Sequence, residues 1–279
     1  MIEITVYEVG PRDGLQALNY NVPTNDKINL INSLYDAGIN DIEETSFVHP
    51  KIIPNLADAE KVFTGRGAAL VLNKRGYERA IATGVSKINI VISPCETFNM
   101  KNMNGTLSEL VLRYRTFMQN IPKENVRVYV SMAFGSPYSG QITESQIKTC
   151  IRDAKMFGNT IVFADTVGVA DKLQVMLWTE LAIKEGLKVG LHLHHKGKES
   201  NALSLVRAAI FAGAKEIDSS IGGLGGCPFA EGSGANLATE TLVRHLKAWG
   251  VNCNIDESKL SKALQIAQHI KGGEYIANE

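Results

Sequence analysis

Residues 160–194 read TIVFADTVGVADKLQVMLWTELAIKEGLKVGLHLH, and this stretch contains one full repeat of the pattern that sets the fold. It predicts a buried strand at 160–164, a helix at 172–185 and a second strand at 188–194. Gly186 stands between the helix and the second strand, where glycine accepts the left-handed conformation that ends many helices. A strand, a helix and another strand in this order indicate two parallel neighbours in one sheet.

The same alternation continues along the whole chain. Strands are predicted at 4–9, 39–45, 68–72, 87–92, 127–133, 160–164, 188–194 and 216–221, and helices at 25–37, 55–63, 77–83, 107–120, 144–157, 172–185, 200–212, 237–249 and 257–270. Helices end in glycine before the next strand at Gly38, Gly84, Gly158, Gly186 and Gly213. Eight strand–helix pairs predict one (β/α)8 TIM barrel over residues 1–279, with an extra C-terminal helix.

An open, doubly wound sheet is the alternative fold. It would need a Gly-rich phosphate loop after the first strand. The chain reads Gly10-Pro11-Arg12-Asp13-Gly14 there, which lacks the GxGxxG spacing.

Composition narrows the class of protein. Hydrophobic residues make up 44% of the chain, and 29 basic residues balance 29 acidic ones, so we expect neither a nucleic-acid nor a membrane partner. The four cysteines have no metal-binding or disulfide spacing. The sequence opens on a strand pattern without a leader, and no apolar run is long enough for a membrane span. We therefore expect a cytoplasmic protein.

Two histidines on one predicted strand are the first sign of function. Side chains alternate along a strand, so His192 and His194 face the same side, with Cα atoms roughly 7 Å apart. Buried imidazoles need partners for their ring nitrogens, and a shared metal ion meets that need. The alternative is two separately hydrogen-bonded histidines, which is the commoner outcome for an isolated His-x-His.

Further ionisable side chains occur where other predicted strands end, and in a barrel these ends meet at one mouth. They are Arg12 and Asp13 after strand 1, Glu43 at the end of strand 2, Asp165 at the end of strand 6, and Cys227 in the Gly-rich segment after strand 8. Singly, each has a simpler explanation: a surface ion pair, a solvated strand end, a helix or turn cap, a flexible linker. Their convergence on one mouth favours a site.

The donor types predict a metal centre. Asp13, His192 and His194, with the amide oxygen of Asn236, offer the mixed oxygen and imidazole ligands that suit Mg²⁺ or Mn²⁺. No cysteine lies near the histidines, which argues against a structural zinc, although a catalytic zinc with three protein ligands remains an alternative.

Such a metal can chelate a substrate hydroxyl and a neighbouring oxygen and lower the pKa of the hydroxyl. Arg12 can stabilise a developing enolate oxygen, and Glu43 and Asp165 are candidates to move protons or to orient Arg12. Cys227, on a segment that could close over the site, can exchange a proton at carbon. These roles together predict the making or breaking of a C–C bond beside a carbonyl.

Several segments resemble the 3-hydroxy-3-methylglutaryl-CoA (HMG-CoA) lyases, a branch of the metal-dependent TIM-barrel lyases and Claisen-type synthases. They are VGPRDGLQ at 9–16, ETSFV at 44–48, YVS at 129–131, DTVG at 165–168, the His-x-His, and GGLGGCP at 222–228. The resemblance implies cleavage of the acyl-CoA thioester to acetyl-CoA and a 3-oxo acid, acetoacetate for the family substrate. It also implies metal ligation by Asp13, His192, His194 and Asn236, an acid–base role for Cys227, active-site places for Arg12, Glu43 and Asp165, and, by analogy, a homodimer.

One loop departs from the family pattern. After His194 the lyases carry Asp-Thr-Tyr-Gly-Gln, whereas this chain reads HKGKESN at 195–201, two residues longer and more basic. Lys196 and Lys198 could meet a carboxylate or a CoA phosphate, or they could be solvated loop lysines. Ser46, which follows Glu43 by three residues at the end of strand 2, is a further predicted substrate contact. The alternatives are a relative that acts on another 3-hydroxy-diacid thioester such as citramalyl-CoA, one that runs in the condensing direction, and a barrel that has lost catalysis.

Overall fold

A closed barrel of eight parallel strands forms the centre of the protein, in a computed structural model that describes residues 2–225 and 234–273. The strands are Thr5–Glu8 (β1), Asp41–Ser46 (β2), Ala68–Leu70 (β3), Lys87–Ile92 (β4), Val126–Val130 (β5), Thr160–Asp165 (β6), Lys188–His195 (β7) and Glu216–Ser219 (β8). Each strand pairs with its neighbours in chain order, and β8 pairs with β1 to close the ring. The predicted TIM barrel is confirmed.

Helices surround the strands. They are Thr24–Asp36 (α1), Ala59–Val62 (α2), Lys74–Ala82 (α3), Glu96–Met103 (α4), Leu107–Phe117 (α5), Glu144–Phe157 (α6), Lys172–Lys184 (α7), Glu199–Phe211 (α8), Thr239–Ala248 (α9) and Glu257–Gly272 (α10). Thr106 and Thr143 cap α5 and α6 with reciprocal capping boxes. The predicted extra C-terminal helix is α10, which packs against α1.

Two differences from the predicted elements matter for the site. The sequence did not predict α4, nor the two-residue strand β9, Ala235–Asn236, which pairs antiparallel with the end of β7. In place of the helix expected at 55–63, the chain forms a 3₁₀ turn, Pro54–Leu56, followed by the short α2.

Among the described residues, no helix combines the length and the apolar character needed to cross a membrane.

The apolar core lies between the strands and the helices, whereas the inside of the barrel is polar. Along β4, Ile88 and Ile90 point outward and are fully buried against the helices. The residue between them, Asn89, points inward and hydrogen-bonds the carboxylate of Glu43. TIM-barrel interiors are usually filled by Val, Ile and Leu. In this barrel, polar groups that support the mouth occupy the interior instead.

The glycines at the helix ends are required for two different structural reasons. Gly38, Gly84, Gly186 and Gly213 have φ of +92°, +89°, +82° and +104°, as the sequence predicted. Gly158 does not, because its φ is −137° and its backbone is extended. A Cβ at Gly158 would lie 2.4 Å from the carbonyl oxygen of Val126, so close backbone approach excludes a side chain there.

Candidate active site

Arg12 and Asp13 reach the barrel mouth on a tight turn after β1. The chain forms a single π-helical turn, Gly10–Gly14, in which the N–H groups of Asp13 and Gly14 both approach the carbonyl oxygen of Val9, at 2.6 and 3.3 Å. Such turns are rare and occur often at functional sites. Arg12 and Asp13 are both buried, although they lie beyond the end of their strand.

The two histidines of β7 face the same side, as predicted, and meet Asp13. One ligand atom from each of Asp13, His192 and His194 lies within 4.8 Å of the others. The Nε2 atoms of the two histidines are 3.0 Å apart. His192 Nδ1 lies 3.3 Å from a carboxylate oxygen of Asp218, and His194 Nδ1 lies 2.9 Å from the carbonyl oxygen of Thr166.

These partners fix which ring nitrogens carry protons. A carbonyl and an ionised carboxylate only accept hydrogen bonds, so both Nδ1 atoms donate, and when both rings are neutral both Nε2 atoms present lone pairs. The two lone pairs, 3.0 Å apart and beside the Asp13 carboxylate, repel one another unless a proton or a metal cation lies between them. The donor set therefore fits a divalent metal ion, and its outer hydrogen bonds are the kind that orient metal-bound histidines.

The charge states suit a cation. Burial would raise the pKa of Asp13, but Arg12 and both histidines outweigh it and lower that pKa to about 2. Burial and the neighbouring His192 lower the pKa of His194 to about 4. Burial also acts to lower the pKa of His192, but Asp218 and Asp13 raise it above its ordinary value. At neutral pH, Asp13 is ionised and His194 is neutral, as metal ligands must be.

Asn236, the fourth predicted ligand, comes to the cluster on β9. The register of the β7–β9 pair sets Asn236 opposite His194. Its amide nitrogen donates to Asp13 at 2.8 Å and to the carbonyl oxygen of Leu224 at 2.9 Å. Both amide protons are used by these bonds, which leaves the amide oxygen as the group that can accept or ligate.

Arg12 is held in one orientation by carboxylates. Its Nη1 donates to Asp13 at 2.7 Å, and its Nε donates to Glu43, which is completely buried. Asn89 donates to the other oxygen of Glu43 at 2.7 Å. Within residues 2–225 and 234–273, Arg12 Nη2 has no hydrogen-bond partner and so is available to a ligand. Glu43 thus orients Arg12, one of the two roles considered for it.

A second buried ion network, which sequence reasoning missed, supports His192 from inside the barrel. Arg127 donates to Asp218 at 2.7 Å and to Glu216 at 2.9 Å. The hydroxyl of Tyr129 lies between Arg127, at 2.9 Å, and Asp218, at 2.8 Å. Polar residues at alternate positions, 127 and 129 on β5 and 216 and 218 on β8, were the available signal.

A cavity of about 410 Å³ opens above the cluster, within the range of small-molecule sites. Its polar end is formed by Arg12, Asp13, Tyr129, His192 and His194. The opposite walls are mainly apolar and come from the loops after β2 and β3 and from α4: Val48, Ile52, Ile53, Leu72, Phe98 and Met103. The arrangement suits a substrate with one chelating polar end and a longer, less polar arm.

Asp165 lies away from this cavity. Ala164 lines the cavity, and the next residue, Asp165, turns to the other side of β6 and accepts bonds from the N–H groups of Val169 and Ala170, at 2.8 and 3.0 Å. This is the turn-capping alternative considered for Asp165. Its contacts organise the loop after β6, and its catalytic role stays a prediction.

The remaining predicted residues contribute less to the geometry. Ser46 is buried and donates to the carbonyl oxygen of Leu70 at 3.2 Å, so its hydroxyl serves the sheet. Lys196 and Lys198 are exposed on the loop after β7, and Lys196 borders a smaller depression that Asp165 and His194 also line. Cys227 lies outside the described residues. The substrate-binding and catalytic roles of these four residues stay predictions.

Comparison with known proteins identifies the family. The model of the HMGL-like family matches residues 3–267. This chain belongs to the HMGL-like family. The resemblance inferred from the sequence is therefore confirmed. The family depends on divalent metals in general, in agreement with the cluster of Asp13, His192 and His194 as a possible metal site.

Two curated relatives and one solved structure illustrate the similarity. The chain is 38% identical to hydroxymethylglutaryl-CoA lyase YngG of Bacillus subtilis (strain 168) over 281 residues, which covers 96% of this chain and 92% of that protein. It is 37% identical to the mitochondrial hydroxymethylglutaryl-CoA lyase of Arabidopsis thaliana over 93% of this chain, but it spans only 58% of that protein's length.

The solved structure is an HMG-CoA lyase from Acinetobacter baumannii in complex with coenzyme A and 3-methylmalate. It superposes with a TM-score of 0.88 at 34% identity, over 97% of this chain and 90% of that one. The barrel of this HMGL-like protein thus matches an HMG-CoA lyase over nearly its full described length.

The first prediction concerns Asp218. Asp218→Asn removes the charge that holds His192 Nδ1, so we expect Mn²⁺ affinity to fall by about 10- to 100-fold, the usual effect of losing such a partner. Electron paramagnetic resonance of free Mn²⁺ measures the dissociation constant. Asp153→Asn is the control, because Asp153 is also a buried carboxylate but lies on α6 beside Arg152. Equal affinity in the two variants would contradict the role of Asp218.

Proposed function

We propose that this protein is an HMG-CoA lyase, a carbon–carbon lyase that cleaves 3-hydroxy-3-methylglutaryl-CoA to acetyl-CoA and acetoacetate. The observation that carries the proposal is the pair of imidazoles that meet Asp13 beside Arg12, at the polar end of the cavity of an HMGL-like chain. Relatives with this name match more than nine-tenths of the chain.

The proposed metal is Mg²⁺ or Mn²⁺, held by Asp13, His192, His194 and Asn236. Carboxylate and amide oxygens beside two imidazoles suit these ions, and zinc with three protein ligands is the alternative. When bound, the cation would supply Lewis acidity to the 3-hydroxyl of the substrate and fix its orientation. The chain's own part is to orient these ligands toward one point, through Asp218 and Thr166 on the two histidines, while Arg12 keeps Asp13 ionised.

Arg12 stabilises the negative charge that develops on the enolate oxygen during cleavage. A general base takes the proton of the 3-hydroxyl, which becomes the ketone of acetoacetate as the C2–C3 bond breaks. The electron pair of that bond moves into the thioester as an enolate, and a proton added at C2 then gives acetyl-CoA. A fixed cation near the enolate oxygen stabilises this charge without reorganisation. Glu43 and Asp13 hold two nitrogens of Arg12 and leave Nη2 for that oxygen.

The cavity fits an acyl-CoA thioester. Its polar end suits the hydroxyacyl group, and its apolar walls suit a flexible arm that leads out between the loops after β2 and β3. The related enzyme of A. baumannii was solved with coenzyme A, which supports an acyl-CoA as the partner of this chain.

The second prediction tests the reaction. Incubation with HMG-CoA and Mg²⁺ should release acetoacetate and acetyl-CoA in equal amounts, and chelation of the metal should abolish the release. Asp13→Ala and His192→Ala should lose both turnover and Mn²⁺ binding. Enzymatic assay of acetoacetate measures the reaction, and Asp153→Ala, a substitution far from the site, serves as the control.

Because the loop at 195–201 departs from the family pattern, the test must also decide which thioester is the substrate. A panel of branched 3-hydroxyacyl-CoA thioesters that includes citramalyl-CoA separates the alternatives. Cleavage of another thioester, with HMG-CoA untouched, would replace the substrate and keep the reaction class. Mn²⁺ binding with no thioester cleaved would identify a barrel without catalysis.

The third prediction concerns Cys227. If Cys227 delivers the proton to C2 of the enolate, Cys227→Ala should lower turnover by about 10²-fold or more, the scale of losing an acid–base group, and should leave Mn²⁺ affinity intact. Steady-state kinetics and metal titration measure the two effects. Cys253→Ala, which changes a cysteine near the start of α10, should retain turnover. Unchanged turnover in Cys227→Ala would remove Cys227 from the mechanism.

We further propose a cytoplasmic homodimer. The dimer is supported by analogy with other barrels of this group, and a reducing compartment is supported by Cys95, Cys150 and Cys253, which are free and buried. The chain has a mass of 30.4 kDa, so light scattering should give about twice that value. A scattering mass of one chain at working concentration would refute the dimer.

A further inference from the structure

Glu8, the last residue of β1, is a fully buried carboxylate that the mechanism above does not use. Three donors surround it. The N–H groups of Gly10 and Ile221 lie 2.8 and 3.0 Å from Oε1, and the hydroxyl of Thr239 lies 2.6 Å from Oε2. These bonds join parts of the chain that are remote in sequence.

Each donor belongs to a segment that carries part of the site. Gly10 opens the π-helical turn that presents Arg12 and Asp13. Ile221 begins the Gly-rich segment, which runs on toward Cys227. Thr239 begins α9, three residues after Asn236. One carboxylate therefore connects the turn with Asp13, the start of the Gly-rich segment and the strand with Asn236.

The packing around Glu8 leaves little freedom. A Cβ at Gly10 would lie 2.6 Å from Glu8 Oε1, so a side chain there would push the carboxylate away from its donors. Among the described residues, no Lys, Arg or His forms an ion pair with Glu8. The negative charge of Glu240, which accepts a bond from the N–H of Gly222 at 3.0 Å, acts to raise the pKa of Glu8. Burial raises the pKa of Glu8 to about 7, against the opposing effect of its three donors.

A carboxylate buried without a counter-charge destabilises a fold, and neutral side chains could fill the same space. Its retention at this junction is explained by its acceptor capacity, since two carboxylate oxygens can bind three donors from three directions. We infer that Glu8 is a positioning residue that holds Asp13 and Asn236 in register with the histidines by joining the turn, the Gly-rich segment and α9. This inference rests on the proposed metal centre for one of its two tests only.

Glu8→Gln keeps the shape, but its amide oxygen accepts from Gly10 and Ile221 more weakly than a carboxylate does, and its NH2 group cannot accept from Thr239. The amide protons of Gly10 and Ile221 should then exchange with solvent about tenfold faster, since local opening becomes easier. The Mn²⁺ dissociation constant should rise by about tenfold, the lower end of the range for lost outer-sphere support.

Glu44→Gln is the matched control. Glu44 is also fully buried, on β2, and it accepts bonds from the N–H groups of Thr64 and Gly67 at 2.6 and 3.0 Å, remote from the cavity. It should speed exchange at Thr64 and Gly67 and leave Mn²⁺ affinity within about twofold, because no metal ligand depends on it. A purely structural role for Glu8 would make the two variants alike in Mn²⁺ affinity.

Thr239→Val serves if Glu8→Gln does not fold, because it removes one donor and keeps the shape. It should weaken Mn²⁺ binding by about threefold or more and speed exchange at Ile221. Wild-type affinity and exchange in a folded Glu8→Gln or Thr239→Val protein would overturn the inference. If the unmodified protein binds no Mn²⁺, the proposed function fails, and amide exchange alone decides the role of Glu8.

Discussion

The site depends on two imidazole nitrogens, His192 Nε2 and His194 Nε2, that face one another at 3.0 Å. Each ring has its other nitrogen committed to an acceptor, so neither ring can turn away. The mutual repulsion of the lone pairs is relieved by a cation. Asp13 supplies negative charge at this point, so the three side chains together form a candidate metal site.

The polar interior of the barrel follows from that constraint. Arg127 stacks on the ring of Tyr7, with its guanidinium carbon 3.4 Å from the ring centre, and pairs with Glu216 and Asp218. Buried ion networks of this kind add little stability compared with well-packed apolar residues. Here the network orients a side chain, because the Arg127–Asp218 pair holds the carboxylate that fixes His192. The apolar shell outside the strands supplies the stability that the interior does not.

Sequence periodicity was sufficient for the barrel and for the shared face of His192 and His194, because both follow from the period of two along a strand. Side chains also alternate along β6, so Ala164 faces the cavity and Asp165 faces the loop after the strand, and the catalytic role of Asp165 stays a prediction. Helix α4, ETFNMKNM, has no apolar stripe, and β9 has two residues, so neither leaves a periodic signal. The partnership of Arg127 with Asp218 is a long-range contact that no local pattern contains.

The two glycine motifs that carried the family resemblance have a joint physical reason. A Cβ at Gly14 would lie 2.8 Å from the Cβ of Leu224, and a Cβ at Gly225 would lie 2.8 Å from the amide nitrogen of Asn236 and 2.9 Å from the Cα of Gly14. Gly225 also has a φ of +98°. The turn with Asp13 and the segment that leads toward Cys227 therefore touch backbone to backbone. Each motif requires its glycines because the other motif lies too close for a side chain. This close contact brings Asn236 within reach of Asp13.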